Sequence, residues 1–440
     1  MGRSIAFCGN IWTTKRIPKR IPKGIPDMRY WACSWLCLAI LVLGAQPKAM
    51  AGDWPGWLGP KRDSSSPEVI VPWALDLSPM WKISVGEGHS SPVIHQGRAY
   101  LHFKTPGKEA ETLLCVSLKE GKPLWETSVE RNAFSNSFGN GPRATPLIHG
   151  NRIYTFGASG QVACHSINTA LEGKVVWKRD LLKEFDGKNL FFGASASPLI
   201  SGNALLIPVG GKDAAMVALD IKDGSTLWKS IDDRATYASP VILDNKVIFL
   251  SQKGLQALSL ADGKPLGHFP LVDKLNESAT TPVETPHGIF VSSVTYGGAF
   301  VDKSQGSDFL KPIWKSAALS CYFSTPVASA SGEELYMVTG SIFPPPSSTL
   351  RCIDTKTGKV LWSRPKSGKY HAALLRLGDG NMLLVDDYGL LRLFKPSREK
   401  FQELAVSKLC GATWAHPALS GGTLVIRDEQ ALLAVQLPTK

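Results

Sequence analysis

Eight short stretches of this chain carry residue types that could build a small-ligand pocket. In chain order they contain His89, Arg143, Phe192, Tyr237, Asn276 with Glu277, Tyr322, His371, and Trp414 with His416. Aromatic faces with a few convergent polar groups are what such pockets use. Arg143 is the best anion contact, because its planar fork matches a carboxylate. Asn276 and Glu277 could supply oxygens to a metal, but two ligands fall short of a set. No Asp stands in these stretches to act as a base, and Asp386-Asp387 and Asp232-Asp233 read as solvated turns. The competing reading is structural, with the same side chains sealing the end of a channel. His-Glu-x-x-His, Cys-x-x-Cys, Gly-x-Ser-x-Gly and the phosphate loop are all missing from the sequence. No catalytic residue and no metal ligand set is therefore assigned.

What must position these residues is a phrase that the chain repeats. Its clearest copy starts at Ala196-Ser197-Pro198-Leu199-Ile200, passes through a tight turn and an apolar run, and ends at Asp223-Gly224-Ser225-Thr226-Leu227-Trp228. The proline recurs at Pro92, Pro146, Pro198, Pro240, Pro282, Pro326 and Pro417, and Ala373 stands in the one wide gap. About eight units of roughly 45 residues are the period at which four short strands make one propeller blade. Runs such as Val247-Ile248-Phe249-Leu250 do not alternate, as expected of strands covered on both faces. Asp223-Gly224, Asp262-Gly263 and Asp379-Gly380 read as hairpin turns. The fold class expected is all-β, an eight-bladed β-propeller of four-stranded blades.

Register predicts how the ring closes. Met80-Trp81-Lys82 is a turn-plus-Trp ending with no blade ahead of it, and the last unit lacks such an ending. The strand around Trp81 should therefore complete the last blade and leave no open edge. Trp81, Trp125, Trp177, Trp228, Trp314 and Trp362 should dock between blades with their N–H groups bonded to backbone. The chain crosses from one blade to the next just before each Ser-Pro, so the candidate residues should meet at one mouth of the channel.

The phrase resembles the repeat of the PQQ-like β-propellers, the group of quinoprotein alcohol dehydrogenases and BamB-like propellers. The opening segment Asp53-Trp54-Pro55-Gly56-Trp57-Leu58-Gly59-Pro60-Lys61-Arg62-Asp63 looks like that of secreted planctomycete-type members. The resemblance implies an exported, non-catalytic binding or scaffold module of the cell envelope, holding an envelope protein or another ligand. One alternative it implies is a PQQ-dependent dehydrogenase oxidising an alcohol or sugar, which would need Ca²⁺, an Asp base and, in many members, two adjacent Cys. No Cys-Cys pair occurs here, so no cofactor is expected, with PQQ and Ca²⁺ kept as the alternative. The aromatic mouth also motivates a polysaccharide-binding reading.

The first 51 residues read as an extension and an export signal. An apolar run from Trp31 to Ala45 precedes Ala49-Met50-Ala51, with Met28 the expected start and cleavage expected after Ala51. Residues 52–440 are then one propeller domain, with no membrane span, periplasmic or extracellular and expected to be a monomer. The chain carries a net charge of +12, of which the leader holds eight basic residues and one acidic. The remaining +5 is dispersed and makes no case for nucleic acid. Cys115, Cys164, Cys321, Cys352 and Cys410 remain, and three of them sit in apolar strand runs as small hydrophobes.

Overall fold

The repeat builds a ring. The computed structural model describes residues 52–168, 170–341 and 345–440, whose strands form eight four-stranded antiparallel sheets arranged as a propeller. The leader expected over 1–51, with Met28 and the cleavage after Ala51, lies outside these residues. Blades 1 to 7 span 93–130, 147–180, 199–230, 241–270, 283–316, 327–365 and 372–408. Blade 8 spans 418–436 and takes its fourth strand, Pro79–Ser84, from the start of the ring, with Trp81 paired to Ala434. The closure expected from register is the one observed. A four-residue helix, Leu181–Glu184, capped by Asp180, interrupts one crossing. No helix among the described residues is long and apolar enough to cross a membrane.

Burial explains why the strands do not alternate. Ala204–Gly211 is buried at every position, because sheets on both sides cover it. The fourth strand, Thr226–Ser230, lies at the rim and is half to fully exposed. All five cysteines among the described residues are free and buried, as small apolar side chains.

The Leu-Trp ending has a specific geometry. In each of the eight blades the ladder slips by one residue beside the fourth strand. In blade 3, Trp228 pairs with Ala218 but Thr226 with Leu219, so Leu227 is the bulged residue. The bulge allows two consecutive apolar side chains to serve different ends: Leu227 turns out, 42 % exposed, while Trp228 turns toward the next blade. There five of the six rings are roofed by the glycine of the neighbouring turn. A Cβ on Gly224, whose φ is +77°, would stand 2.7 Å from the Trp177 ring. Gly121, Gly173, Gly263 and Gly358 sit in the same way over Trp81, Trp125, Trp228 and Trp314. The indole N–H groups then reach the same turns: Trp81 donates to Leu118 O (2.8 Å), Trp228 to Leu260 O (3.1 Å), Trp314 to Thr355 O (2.7 Å) and Trp362 to Ser397 O (2.8 Å). Trp177 bonds Ile221 O at 3.3 Å. Trp125 departs from the expectation, because its N–H has no partner. The turn it faces is longer: Gly173 bonds back to Ser166, whereas Gly121 bonds to Ser117 and Gly224 to Asp220. The longer turn keeps the glycine roof and moves the carbonyl away.

A second set of bonds joins the inner strands. At four of the eight junctions the residue before the phrase proline offers its hydroxyl to the backbone N–H of its counterpart in the preceding blade. Thr145 N donates to Ser197 Oγ, Ser197 N to Ser239 Oγ, Thr281 N to Thr325 Oγ1, and His416 N to Ser91 Oγ, at 2.9 to 3.3 Å. The counterpart that would accept from Ala372 N of blade 7 is His416 of blade 8, which has no hydroxyl, and the Ala372 N–H instead turns to Ser324 Oγ at 3.2 Å. The serine of the Ser-Pro phrase is thus an inter-blade acceptor.

Five histidines are packed inside the ring. Burial drives His102 down to about 3 and His89, His165, His371 and His416 to about 4, and neighbouring positive charge adds to it at all but His371. His102 Nε2 lies 3.4 Å from Glu111, which also accepts from Arg131 (2.9 Å) and from Ala158 N (3.0 Å). These values fall below the ordinary 6.5, so between pH 6.5 and about 4 the unfolded chain takes up protons that the folded chain does not.

Stability is therefore expected to be complete above pH 6.5 and to fall as pH drops toward 4, by at most about 1.4 kcal/mol per pH unit for each histidine. Melting temperature against pH checks this, and His165→Gln should flatten the slope. Gly224→Ala should cost roughly 1–3 kcal/mol by urea denaturation. Gly202→Ala, at φ +57° with nothing within 4 Å of the added carbon, should cost less. Trp314→Phe should lose about 1 kcal/mol more than Trp125→Phe, since only Trp314 spends a hydrogen bond.

Candidate functional site

The crossings between blades are irregular, and buried carboxylates brace them. Asp273 accepts from Glu277 N and from Thr295 Oγ1, each at 2.8 Å. Asp387 accepts from the backbone N–H groups of Lys369 (2.8 Å), Tyr370 (2.6 Å) and His371 (3.2 Å). Asp386-Asp387 is thus not the solvated turn expected from sequence. Asp386 is 1 % exposed and paired with Arg392 at 2.7 Å, and Asp387 is buried under the crossing that it holds. Three converging N–H groups need a strong acceptor, and a carboxylate supplies it. Asp232 is exposed, as expected of a turn.

Seven of the ten candidate residues meet around one cavity of about 330 Å³. His89, Arg143, Phe192, Tyr237, Tyr322, His371 and Trp414 line it. Asn276 and Glu277 stand aside. Asn276 is exposed with φ +57°, and Glu277 accepts a hydrogen bond from the Tyr322 hydroxyl. His416 is buried beneath the cavity, its Nε2 3.3 Å from Ser64 Oγ and its ring edge-on to Trp57 at 5.6 Å. Among the described residues no three His, Cys, Asp or Glu side chains converge as a metal set.

The wall is an aromatic belt. Phe192 meets Phe138, Tyr237 and Phe323 edge to face at 5.6, 5.4 and 6.0 Å. Phe323 abuts Trp414 at 5.3 Å, and Trp414 stacks on Tyr370 and His371 at 5.8 and 6.4 Å. Arg143 holds the loop before it through the carbonyls of Gly141 (3.2 Å), Phe138 and Gly139 (both 3.1 Å), and its guanidinium lies 5.8 Å over Phe192. His89 Nε2 is 2.8 Å from the same Phe138 carbonyl. Burial pushes Arg143 down to about 10, so it is still a cation at neutral pH. Burial also raises the Tyr237 phenol to about 12. His371 Nδ1 lies 3.2 Å from Ser324 Oγ, and its Nε2 has no hydrogen-bond partner.

The opening segment lies under this cavity. Trp54 pairs with Ile94 of blade 1, Pro55 O accepts from Ile148 N of blade 2, and Ser64 bonds Leu374 O and Arg376 N of blade 7. Arg62 reaches Ser197 O (2.8 Å) and Pro198 O (3.1 Å) of blade 3 and Pro240 O (2.7 Å) of blade 4. Trp57 donates to Thr281 Oγ1 of blade 5 at 2.9 Å and lines the cavity. One strap therefore ties inner strands around the ring and gives the cavity a base. Sequence reasoning missed Trp57, Ser195, Ser197, Ser239 and Ala279 as lining residues. The signal for Trp57 was the aromatic- and glycine-rich opening, and the signal for Ser197 and Ser239 was the Ser-Pro phrase itself. Phe138 sits five residues ahead of Arg143, and Phe323 and Tyr370 stand beside the candidates Tyr322 and His371.

Known proteins agree with this architecture. The family model described as outer membrane protein assembly factor BamB matches residues 73–172 and 169–364. The outer membrane protein assembly factor BamB of Shewanella oneidensis is 24 % identical over 344 residues, covering 71 % of this chain and 82 % of that protein. Among solved structures, BamB from Moraxella catarrhalis superposes with a TM-score of 0.58 at 16 % identity, over 83 % of this chain and 98 % of that one. The quinohemoprotein alcohol dehydrogenase of Comamonas testosteroni gives 0.66 at 11 % identity, over 89 % of this chain and 81 % of that one. With the family model matched over more than half its length, the chain belongs to the BamB-like family of PQQ-like repeat β-propellers.

Proposed function

We propose that the chain is an exported, non-catalytic binding module of the cell envelope, with the crossing end of the ring as its binding face and an envelope protein as its partner. The observation that carries this reading is the set of large apolar side chains left open there. Phe138 and Phe191 are 57 and 61 % exposed and meet edge to face at 6.3 Å, and Val272, Leu275 and Tyr388 are 46 to 57 % exposed on other loops. Contiguous exposed apolar surface on a rigid support marks an interaction site. The similarity to assembly factors points the same way. A Ca²⁺–PQQ dehydrogenase is disfavoured by the chemistry of the wall. It offers aromatic faces and a cation, but no carboxylate or amide side chain to hold Ca²⁺ and no carboxylate base. The nearest candidate, Glu277, is engaged by Tyr322.

Chemical crosslinking of the purified chain in envelope extract should capture a partner. Phe138→Asp combined with Phe191→Asp should abolish that capture without lowering the melting temperature. Undiminished capture would move the partner off this face. Titration with PQQ and Ca²⁺ should give no calcium-dependent rise in melting temperature. Tight calcium-dependent binding with dye-linked alcohol oxidation would replace this reading with the dehydrogenase.

A further inference from the structure

Arg143 presents a half-buried cation to a cavity whose wall contains no carboxylate. Its hydrogen bonds go to three carbonyls of its own loop. A guanidinium carries five N–H donors, so two remain for a ligand. A desolvated charge of this kind is costly unless an opposite charge joins it. Two further polar groups in the wall are incompletely used. His371 Nε2 has no partner on a side chain that is 6 % exposed, and the Tyr237 hydroxyl accepts from Phe192 N at 3.2 Å while its own proton stays available. Around these groups the wall is flat and aromatic. Its volume of about 330 Å³ stands at the small end of ligand cavities, roughly 300–1,000 Å³.

We propose that this cavity is a metal-independent site for a small aromatic carboxylate, the carboxylate on Arg143 and the ring system among Phe192, Phe323 and Trp414. This rests on the reading of the mouth as a binding site, and adds the chemistry of what enters it. The anion neutralises the half-buried guanidinium, and the ring replaces water against aromatic faces, where edge-to-face and offset contacts are favourable. One or two fused rings suit the space. Charge and flatness are both required, which separates this ligand class from sugars and from aliphatic acids.

The test titrates the mature protein, in EDTA, with 2-naphthoate, neutral 2-naphthamide and cyclohexanecarboxylate. The readouts are tryptophan fluorescence, to which Trp57 and Trp414 in the wall should respond, and melting temperature. 2-Naphthoate should quench and stabilise, with the amide and the aliphatic acid at least tenfold weaker. Arg143→Gln should weaken 2-naphthoate by roughly 10- to 100-fold, as expected for a lost charge-assisted bond, and leave the amide unchanged. Arg143→Lys should be intermediate. Because Arg143 also ties its own loop, the comparison of naphthoate with naphthamide on the unaltered protein decides the matter even if the variants unfold. Equal binding of acid and amide, or binding that appears only with Ca²⁺, overturns the proposal. Failure of every probe, with partner capture still lost in the Phe138/Phe191 variant, removes this inference and leaves the binding-module reading standing.

Discussion

The stacking of a blade's tryptophan under the glycine turn of the next blade, made at five of the eight junctions, is the interaction on which the ring depends. It is at once apolar, polar and steric. The indole buries roughly 150–250 Å², an upper bound of about 4–6 kcal/mol at 25 cal/mol per Å². Its N–H satisfies a turn carbonyl, and its face fills the space a side chain would take. Only a residue without Cβ can hold a positive φ there and let the ring approach. Because the contact is made between successive blades, a blade that carries it fixes the orientation of the next. Stability is then shared between neighbours, as in other repeat architectures.

Two inner belts turn that scaffold into a site. The Ser/Thr hydroxyls before the phrase prolines bond inner strand to inner strand, and the opening strap ties several of those strands from beneath. Both act on the axis, where the blades crowd together. Above them, the crossings are held by buried Asp273 and Asp387, and by Asp428 through the Gly411 N–H, rather than by regular structure. The mouth is thus built from loops but positioned by strands, which lets its side chains vary while the frame does not.

The fold was legible because its determinants are local. A turn glycine, an apolar residue and a tryptophan lie within five positions, and their repetition counts the blades. The unpaired ending at Trp81 even located the closure. The mouth was legible in outline, because the crossings occupy a fixed place in the repeat. What escaped came from partners far apart in sequence. Asp387 reads as a turn acid until the crossing 16 to 18 residues earlier is seen to aim three N–H groups at it. Trp57 meets Thr281 across 224 residues. The free N–H of Trp125 follows from a longer turn on its neighbour, which no motif at Trp125 itself records.

The bulge beside each tryptophan has a consequence for how such rings coexist. A propeller closes its circle but leaves an outer strand on every blade, each with unpaired N–H and C=O groups and an outward apolar residue such as Leu124, Leu227 or Ile313. A flat strand of that kind is a template for pairing with another molecule. The one-residue slip twists it and breaks the regular spacing of its free groups. The same irregularity that aims the tryptophan inward makes the perimeter a poor partner for itself, so crowded copies are kept from zipping edge to edge.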